Sequence, residues 1–305
     1  MYFSVCIPTY NRKYILPRAL QSLADQTFQD FEVLIIDDGS NDSTEGFVKT
    51  YKQSSKLDIK YFYKENGGKH TALNVGIKEA RGKFFLILDS DDIFTNDCLE
   101  FFFEKCKNIE NAKDICGIIA RCGDITTREL IGKMFPQENF LTSYIDIHFG
   151  TGLSLFHTGY SDCLEAIKTT IIKQYTWPEI ASARFIPEDY VTDMIGMKFK
   201  LIGFNKIVEL KEYLKDGITK NQEEYKKRNI DGYLLKYIWN IQNLLTREDT
   251  SILAKFRIGY QYFHGLELQK SVSNLNPKIP FPYNSIRHIL PILNKIKWQV
   301  RKINS

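Results

Sequence analysis

Four short segments carry side chains whose types and spacing suit phosphate, metal and hydroxyl chemistry: Pro8-Thr9-Tyr10-Asn11-Arg12, Asp37-Asp38-Gly39-Ser40, Asn66-Gly67-Gly68-Lys69-His70 and Asp89-Ser90-Asp91-Asp92. Two of them cluster carboxylates, which repel one another unless something positive sits beside them. A hard divalent cation, Mg²⁺ or Mn²⁺, is the natural neutraliser, because it prefers oxygen ligands and is often completed by a substrate's phosphates. Two acids flanking one small residue let one carboxylate hold the metal while its neighbour reaches a ligand's sugar. Taken singly, each segment has a plainer reading. Asp-Gly and Asp-Ser are common turn formers. Gly67-Gly68-Lys69 resembles part of a phosphate loop, but that loop needs Gly at 63 and Ser or Thr at 70, where Tyr63 and His70 stand. No GxGxxG follows the first apolar run, which argues against a dinucleotide oxidoreductase. What turns do not explain is the recurrence of such groups after four successive apolar runs.

Those runs read as strands. Tyr2–Pro8, Phe31–Ile36, Ile59–Tyr63 and Phe84–Leu88 alternate with helical stretches at Lys13–Gln26, after the capping residues Asn41–Thr44, and at Thr71–Ala80. Strands alternating with helices of about 10–15 residues call for a parallel sheet covered on both faces. Such sheets bind ligands at the carboxyl ends of their strands, where the four segments fall. Beyond Asp92 the sequence predicts helices over Cys98–Lys107, Ser161–Lys173 and Asp189–Lys200 and strands at Ile115–Arg121 and Ile207–Leu210. It is mostly helical from Asn221 to about Lys270, and Asn274–Tyr283, with three prolines, reads as a linker. There is no internal repeat.

The chain of 305 residues is 43% hydrophobic and 26% charged, with 9 prolines and 18 glycines, which excludes disordered, collagen-like and low-complexity classes. Mean hydropathy is −0.29, and no apolar run approaches the roughly 20 residues of a membrane span. The start, Met1–Pro8, has no basic stretch before its apolar run and is read as a strand, not a signal peptide. The six cysteines form no CxxC, so reduced, buried thiols in a cytoplasmic protein are expected. The net charge of +4 belongs to the tail. Ser271–Ser305 holds six basic residues and no acid, which leaves 35 basic against 37 acidic residues in the rest, and no nucleic-acid partner is expected.

Ser4–Arg12 (SVCIPTYNR), Asp30–Thr44 (DFEVLIIDDGSNDST) and Asn66–Asp92 together resemble family 2 glycosyltransferases of the GT-A fold, and Phe185–Tyr190 (FIPEDY) resembles that family's Glu-Asp motif. The resemblance covers the first hundred residues densely and thins afterwards. It implies an α/β Rossmann-like nucleotide-binding domain with a mainly parallel central sheet, plus a helical C-terminal region. The expected division is 1–210, with a nucleotide-binding half 1–92 and an acceptor half 93–210, followed by 211–305. The implied activity is inverting, metal-dependent transfer of a sugar from a nucleotide-sugar, a UDP-sugar, to a hydroxyl of a glycan or lipid-linked acceptor in polysaccharide synthesis. Pro8, Thr9 and Tyr10 would line the nucleoside pocket, Asp38 would accept from the base edge, and Lys69 and Asn74 would lie near the nucleotide. Asp89-Ser90-Asp91 matches the family's DxD motif, with Asp89 near the ribose and Asp91, helped by Asp89, on Mn²⁺ or Mg²⁺. Asp189 matches the general base, with Glu188 the neighbouring alternative.

Two other classes weigh against this reading. A sugar-phosphate nucleotidyltransferase would open with a Gly-rich, Arg-containing loop after the first strand, which Pro8–Arg12 does not supply. A non-catalytic nucleotide- or glycan-binding module would make the acids at 89, 91 and 189 incidental. His148, His157, Tyr175 and Trp177 have ordinary structural explanations beside a substrate-binding one, and Glu212–Gly217 has no assigned role. The stretch 285–303 has apolar residues near helical spacing among basic ones, with Trp298 as an aromatic anchor. It reads equally as a peripheral element on the cytoplasmic membrane face or as a helix docked on protein.

Overall fold

The computed structural model describes residues 1–150, 162–214, 217, 220–248, 250–269 and 286. Two compact units divide the chain at several points. One comprises Met1–Ile147, Gly159–Glu179 and Glu188–Asn221; the other comprises His148–Thr158, Ile180–Pro187 and Gln222–Ser305.

Among the described residues the first unit is built on nine strands: β1 Phe3–Thr9, β2 Phe31–Asp37, β3 Asp58–Tyr63, β4 Phe84–Ile87, β5 Ile93–Phe94, β6 Ile115–Asp124, β7 Phe140–Thr142, β8 Cys163–Lys168 and β9 Lys200–Lys211. Its helices are α1 Leu16–Ala24, α2 Thr44–Ser54, α3 Lys69–Glu79, α4 Cys98–Cys106, α5 Thr169–Ile172 and α6 Asp189–Gly196. The strand order is β3-β2-β1-β4-β8-β6-β9-β5, with β7 on β9. The first four strands are parallel, as their βα alternation requires. Beyond β4 the sheet is mixed: β8 runs antiparallel to both β4 and β6, and β9 is parallel to β6. The uninterrupted parallel pairing that the sequence predicts is thus confined to β1–β4, with β6–β9 a further parallel pair in the mixed part.

β1 and β2 are buried along their whole length, as strands covered on both faces must be. One face carries Phe3, Val5, Ile7, Val33, Ile35, Phe84, Leu86, Leu164, Ala166, Ile118 and Ala120 into a core shared with Leu16, Leu20 and Leu23 of α1 and Leu99 and Phe102 of α4. α3 covers the opposite face. Its Gly76 lies so close to Cys6 that a Cβ there would stand 2.3 Å from the sulfur. Glu32, fully buried on β2, ties this half together by accepting from Ser4 Oγ at 2.6 Å and Arg81 N at 2.7 Å, with Lys60 as its counter-ion. Ser4 Oγ in turn accepts from Gly82 N at 2.8 Å, which seats the turn that feeds β4.

Several boundaries differ from the sequence reading. The helix expected over Ser161–Lys173 is strand β8 followed by the single turn α5. Leu164 and Ala166 enter the core while Glu165 and Ile167 face away, a period of two that the Lys-Thr-Thr-Ile-Ile turn obscures. The helix expected to run to Lys200 ends at Gly196, where a Cβ would stand 2.8 Å from Tyr144 Cβ, and Lys200 already begins β9. All six cysteines are free, and five are buried.

The second unit contains α7 Gln222–Arg228, α8 Ile230–Leu244 and α9 Ile252–Leu268, within the stretch expected to be helical. Ser251 caps α9 by accepting from Ala254 N. Gly265 of α9 packs against Leu234 and Tyr237 of α8, and Gly232 lets α8 approach the Phe185 carbonyl. No helix among the described residues is long and apolar enough to cross a membrane. The linker Asn274–Tyr283, His157 and the tail 285–303 lie outside the described residues. The exception is Ile286, fully buried in a cluster with Tyr260, Phe256 and Phe263.

Candidate functional site

The carboxyl ends of β1, β2 and β3 are stitched together by their own loops. Asp38 N donates to Thr9 O at 2.9 Å, Asn11 N to Ser40 Oγ at 2.8 Å and Asn41 N to Asn11 Oδ1 at 2.8 Å. Pro8 and Thr9 are buried, whereas the Tyr10 ring is 48% exposed beside them. Gly39 has φ +87°, and a Cβ there would lie 2.8 Å from Asn66 N, so this turn requires glycine.

Asp38 is only 4% exposed, and its carboxylate is already engaged. Oδ1 accepts from Lys64 Nζ at 2.7 Å and Gly67 N at 2.9 Å, and Oδ2 accepts from Gly68 N at 2.7 Å. A carboxylate offers about four lone-pair sites, so one remains, on Oδ2. The sequence reading missed Lys64, whose only signal is a basic side chain directly after β3.

Lys69, the first residue of α3, sits between two acids. Its Nζ lies 2.5 Å from Asp89 Oδ1 and 2.6 Å from Glu188 Oε1. Burial opposes its charge, but the two carboxylates outweigh burial and hold its pKa above the ordinary lysine value. Burial likewise works against the Asp89 charge, while Lys69 and then Lys211 draw its pKa down. Asp91 is different. Burial and the adjacent Asp89 push its pKa up, and among the described residues its carboxylate has no ion pair and no hydrogen bond from another residue's side chain. An oxygen-only pair under mutual repulsion, with one member unengaged, fits a hard divalent cation.

The rest of the Asp89–Asp92 loop is fixed from two sides. Arg18 of α1 donates to the Asp91 carbonyl at 2.5 Å and pairs with Glu212 at 2.7 Å. Asp92 accepts from Lys211 Nζ at 2.8 Å and Glu212 N at 3.0 Å, so the chain leaving β9 is fastened to the same loop. Ser90 is buried within it. Neither Arg18 nor Lys211 carries a local sequence signal, because each meets the loop only through the fold.

Glu188 and Asp189 stand at the start of α6, with Glu188 at the cap position and Asp189 the first helical residue. Both carboxylates suit the positive end of a helix, and only Glu188 joins Lys69. Asn74 is drawn elsewhere. Its Nδ2 donates to Trp177 O at 2.9 Å and Glu179 Oε1 at 3.0 Å, and its Oδ1 accepts from Trp177 N at 3.0 Å. Its side chain therefore clamps the Trp177–Glu179 segment. Trp177 is 2% exposed and packs as a core residue. His148, in the second unit, has its pKa pushed down to about 3 by burial and then by Lys236 and Arg257.

Known proteins resemble this chain in sequence and in fold. The sequence model of Glycosyl transferase family 2 matches residues 4–161, more than half of the chain. An uncharacterized glycosyltransferase of Rickettsia typhi is 31% identical over 174 residues, 56% of this chain and 51% of its own length. The poly(ribitol-phosphate) beta-N-acetylglucosaminyltransferase TarS of Staphylococcus aureus is 38% identical over 102 residues, 33% of this chain and 18% of that enzyme. The chain thus spans about half or less of the length of these relatives. The crystal structure of TarS 1–349 in complex with UDP-GlcNAc superimposes with a TM-score of 0.58 at 22% identity, covering 88% of this chain and 72% of that one. A mannosyltransferase of Pyrobaculum calidifontis in complex with GDP-Man and Mn²⁺ does so with a TM-score of 0.58 at 16% identity, covering 95% and 84%. The fold is the mixed α/β fold of GT-A glycosyltransferases, and the chain belongs to glycosyl transferase family 2.

Proposed function

We propose that this protein transfers a sugar from a UDP-sugar to a hydroxyl of a glycan or lipid-linked acceptor, with inversion at the anomeric carbon and with a divalent metal, in the synthesis of a polysaccharide. The observation that carries the reading is the Asp89–Lys69–Glu188 bridge beside an unengaged Asp91, at strand ends that also present Tyr10 and Asp38. The UDP-GlcNAc bound to TarS supports a uridine donor, and the Mn²⁺ bound to the archaeal mannosyltransferase supports a metal.

Tyr10 offers an exposed ring for the base, and the remaining acceptor site of Asp38 suits a base-edge N–H. Lys69 offsets phosphate charge. Asp91 and Asp89 would hold Mn²⁺ or Mg²⁺, which when bound stabilises the negative charge of a departing diphosphate. Asp189 takes the proton of the acceptor hydroxyl as that oxygen bonds to the anomeric carbon, and the electron pair of the broken carbon–oxygen bond leaves on UDP. Attack from the side opposite the leaving group inverts the centre. Glu188, tied to Lys69, positions the phosphate side and leaves Asp189 as the base.

Calorimetric titration with UDP and GDP, each with and without Mn²⁺, tests the donor half. UDP binding that depends on Mn²⁺ and is lost in Asp91→Ala is the expected result. Failure of both nucleotides to bind would overturn the reading.

A further inference from the structure

β8 places one acid on the face of the sheet opposite the core of Leu164 and Ala166. Leu164 and Ala166 enter the core, so Glu165 between them points to the opposite face, the one α3 covers near β1. β8 pairs antiparallel with β4 at Phe84–Lys168 and Phe85–Ile167, so Glu165, two residues before Ile167, lies toward the carboxyl end of β4, the end that leads to Asp89. Asp89 follows Leu88, a core residue, just past the end of β4. On its other side Glu165 pairs with Ile119 of β6.

The two acids whose charges reach Glu165 are engaged elsewhere: Lys69 holds Glu188, and Lys211 holds Glu209. Glu165 has no ion pair and no side-chain hydrogen bond among the described residues. Its pKa is pushed up to about 8, first by burial, then by Glu188 and Glu209, with Lys211 opposing. A carboxyl group in that condition both donates and accepts, as a sugar hydroxyl does.

We infer that Glu165 reads the transferred sugar: its carboxyl group hydrogen-bonds a hydroxyl of the sugar held between Asp89 and the Glu188–Asp189 pair, and so helps to set which sugar is accepted. This assignment rests on the donor reading above. Its neighbours on the sheet favour the sugar over the nucleotide, because the nucleoside elements Tyr10 and Asp38 stand at the ends of β1 and β2, whereas β8 lies beyond β4.

The test is the ratio of affinities for a UDP-sugar and for UDP. The full chain, Glu165→Gln and Glu165→Leu are titrated with UDP, UDP-glucose, UDP-galactose, UDP-GlcNAc and UDP-GalNAc in Mn²⁺, with thermal melts checking the fold of each. UDP affinity should stay within about twofold. For the best-bound sugar the ratio should move about tenfold or more against the sugar in Glu165→Leu, the loss expected of one hydrogen bond to such a group. It should move less in Glu165→Gln, which keeps a donor and an acceptor and covers the case in which Glu165→Leu does not fold. Intact UDP binding with every ratio unmoved overturns the assignment of Glu165 alone. Failure of the unaltered chain to bind UDP overturns the donor reading, and this assignment with it.

Discussion

Lys69 Nζ lies 2.5 Å from Asp89 Oδ1, and the same ammonium reaches Glu188 at 2.6 Å, so one cation joins the acid after β4 to the acid before α6. Removing one partner of a buried ion pair costs about 3–5 kcal/mol. Here the Lys69, Asp89 and Glu188 side chains are 20%, 29% and 41% exposed, so solvent screening lowers the expected cost of Lys69→Met to about 1–2 kcal/mol. Sugar transfer should fall much further, by more than tenfold, because Asp89 and Glu188 lose the charge that organises them. Urea unfolding and turnover measured side by side check both halves, and turnover within threefold of the unaltered enzyme would remove Lys69 from the site.

Asn74 separates a structural role from the nucleotide contact that family resemblance implies. Its amide makes three hydrogen bonds to Trp177 and Glu179. Each is worth about 0.5–1.5 kcal/mol net. Asn74→Ala should therefore destabilise the protein by about 1.5–4.5 kcal/mol while UDP affinity changes less than threefold. A tenfold loss of UDP binding with little loss of stability would reverse that assignment.

Asp38 supports two jobs at once, anchoring the Gly67-Gly68 turn and leaving one acceptor site on Oδ2. Asp38→Asn keeps the shape but turns an amide NH₂ toward either Lys64 or the Gly68 N–H. Hydrogen bonds to charged groups contribute about 1.5–3 kcal/mol, and this substitution should cost that order in a chemical denaturation experiment. UDP binding should weaken along with it. Gly39→Ala strains the same turn from the backbone side, through its φ of +87°, without touching the carboxylate. Equal losses of UDP binding in the two variants would mean that loop shape, and not the Asp38 acceptor, is what the nucleotide needs.

The legible part of the site is the part made by local sequence. β1, β2 and β4 announce themselves as short runs rich in buried apolar residues, and each delivers its acids or Tyr10 at the end of the run. What sequence could not reveal is pairing across the fold. Arg18, Lys64 and Lys211 look like ordinary surface charges until β9 and the loops bring them to Asp91, Asp38 and Asp92. β8 was hidden for a related reason. Cys163–Ile172 holds a strand of six residues and a helical turn of four, and a pattern that short satisfies both periods.

The second unit offers a prediction in pH. Burial, then Lys236 and Arg257, push the pKa of His148 down to about 3, against about 6.5 in an unfolded chain. The folded state therefore holds His148 neutral. Between those two values the unfolded chain binds the extra proton, so the stability this residue contributes is present above about pH 6.5 and is lost as pH falls toward 3. One proton gives a slope of at most about 1.4 kcal/mol per pH unit, and from pH 7.5 to 5.0 the loss comes to about 2 kcal/mol. His148→Phe removes the titrating ring but keeps the backbone carbonyl to which Arg257 donates. Stability measured by urea unfolding at the two pH values should thus drop by about 2 kcal/mol less in the variant. Lys236, its pKa pushed down to about 7 by burial and then by Arg257, also titrates within this interval, but it is present in both proteins and cancels in the difference between them. An identical drop in the variant and the unaltered protein would show that His148 is protonated as easily in the fold as outside it.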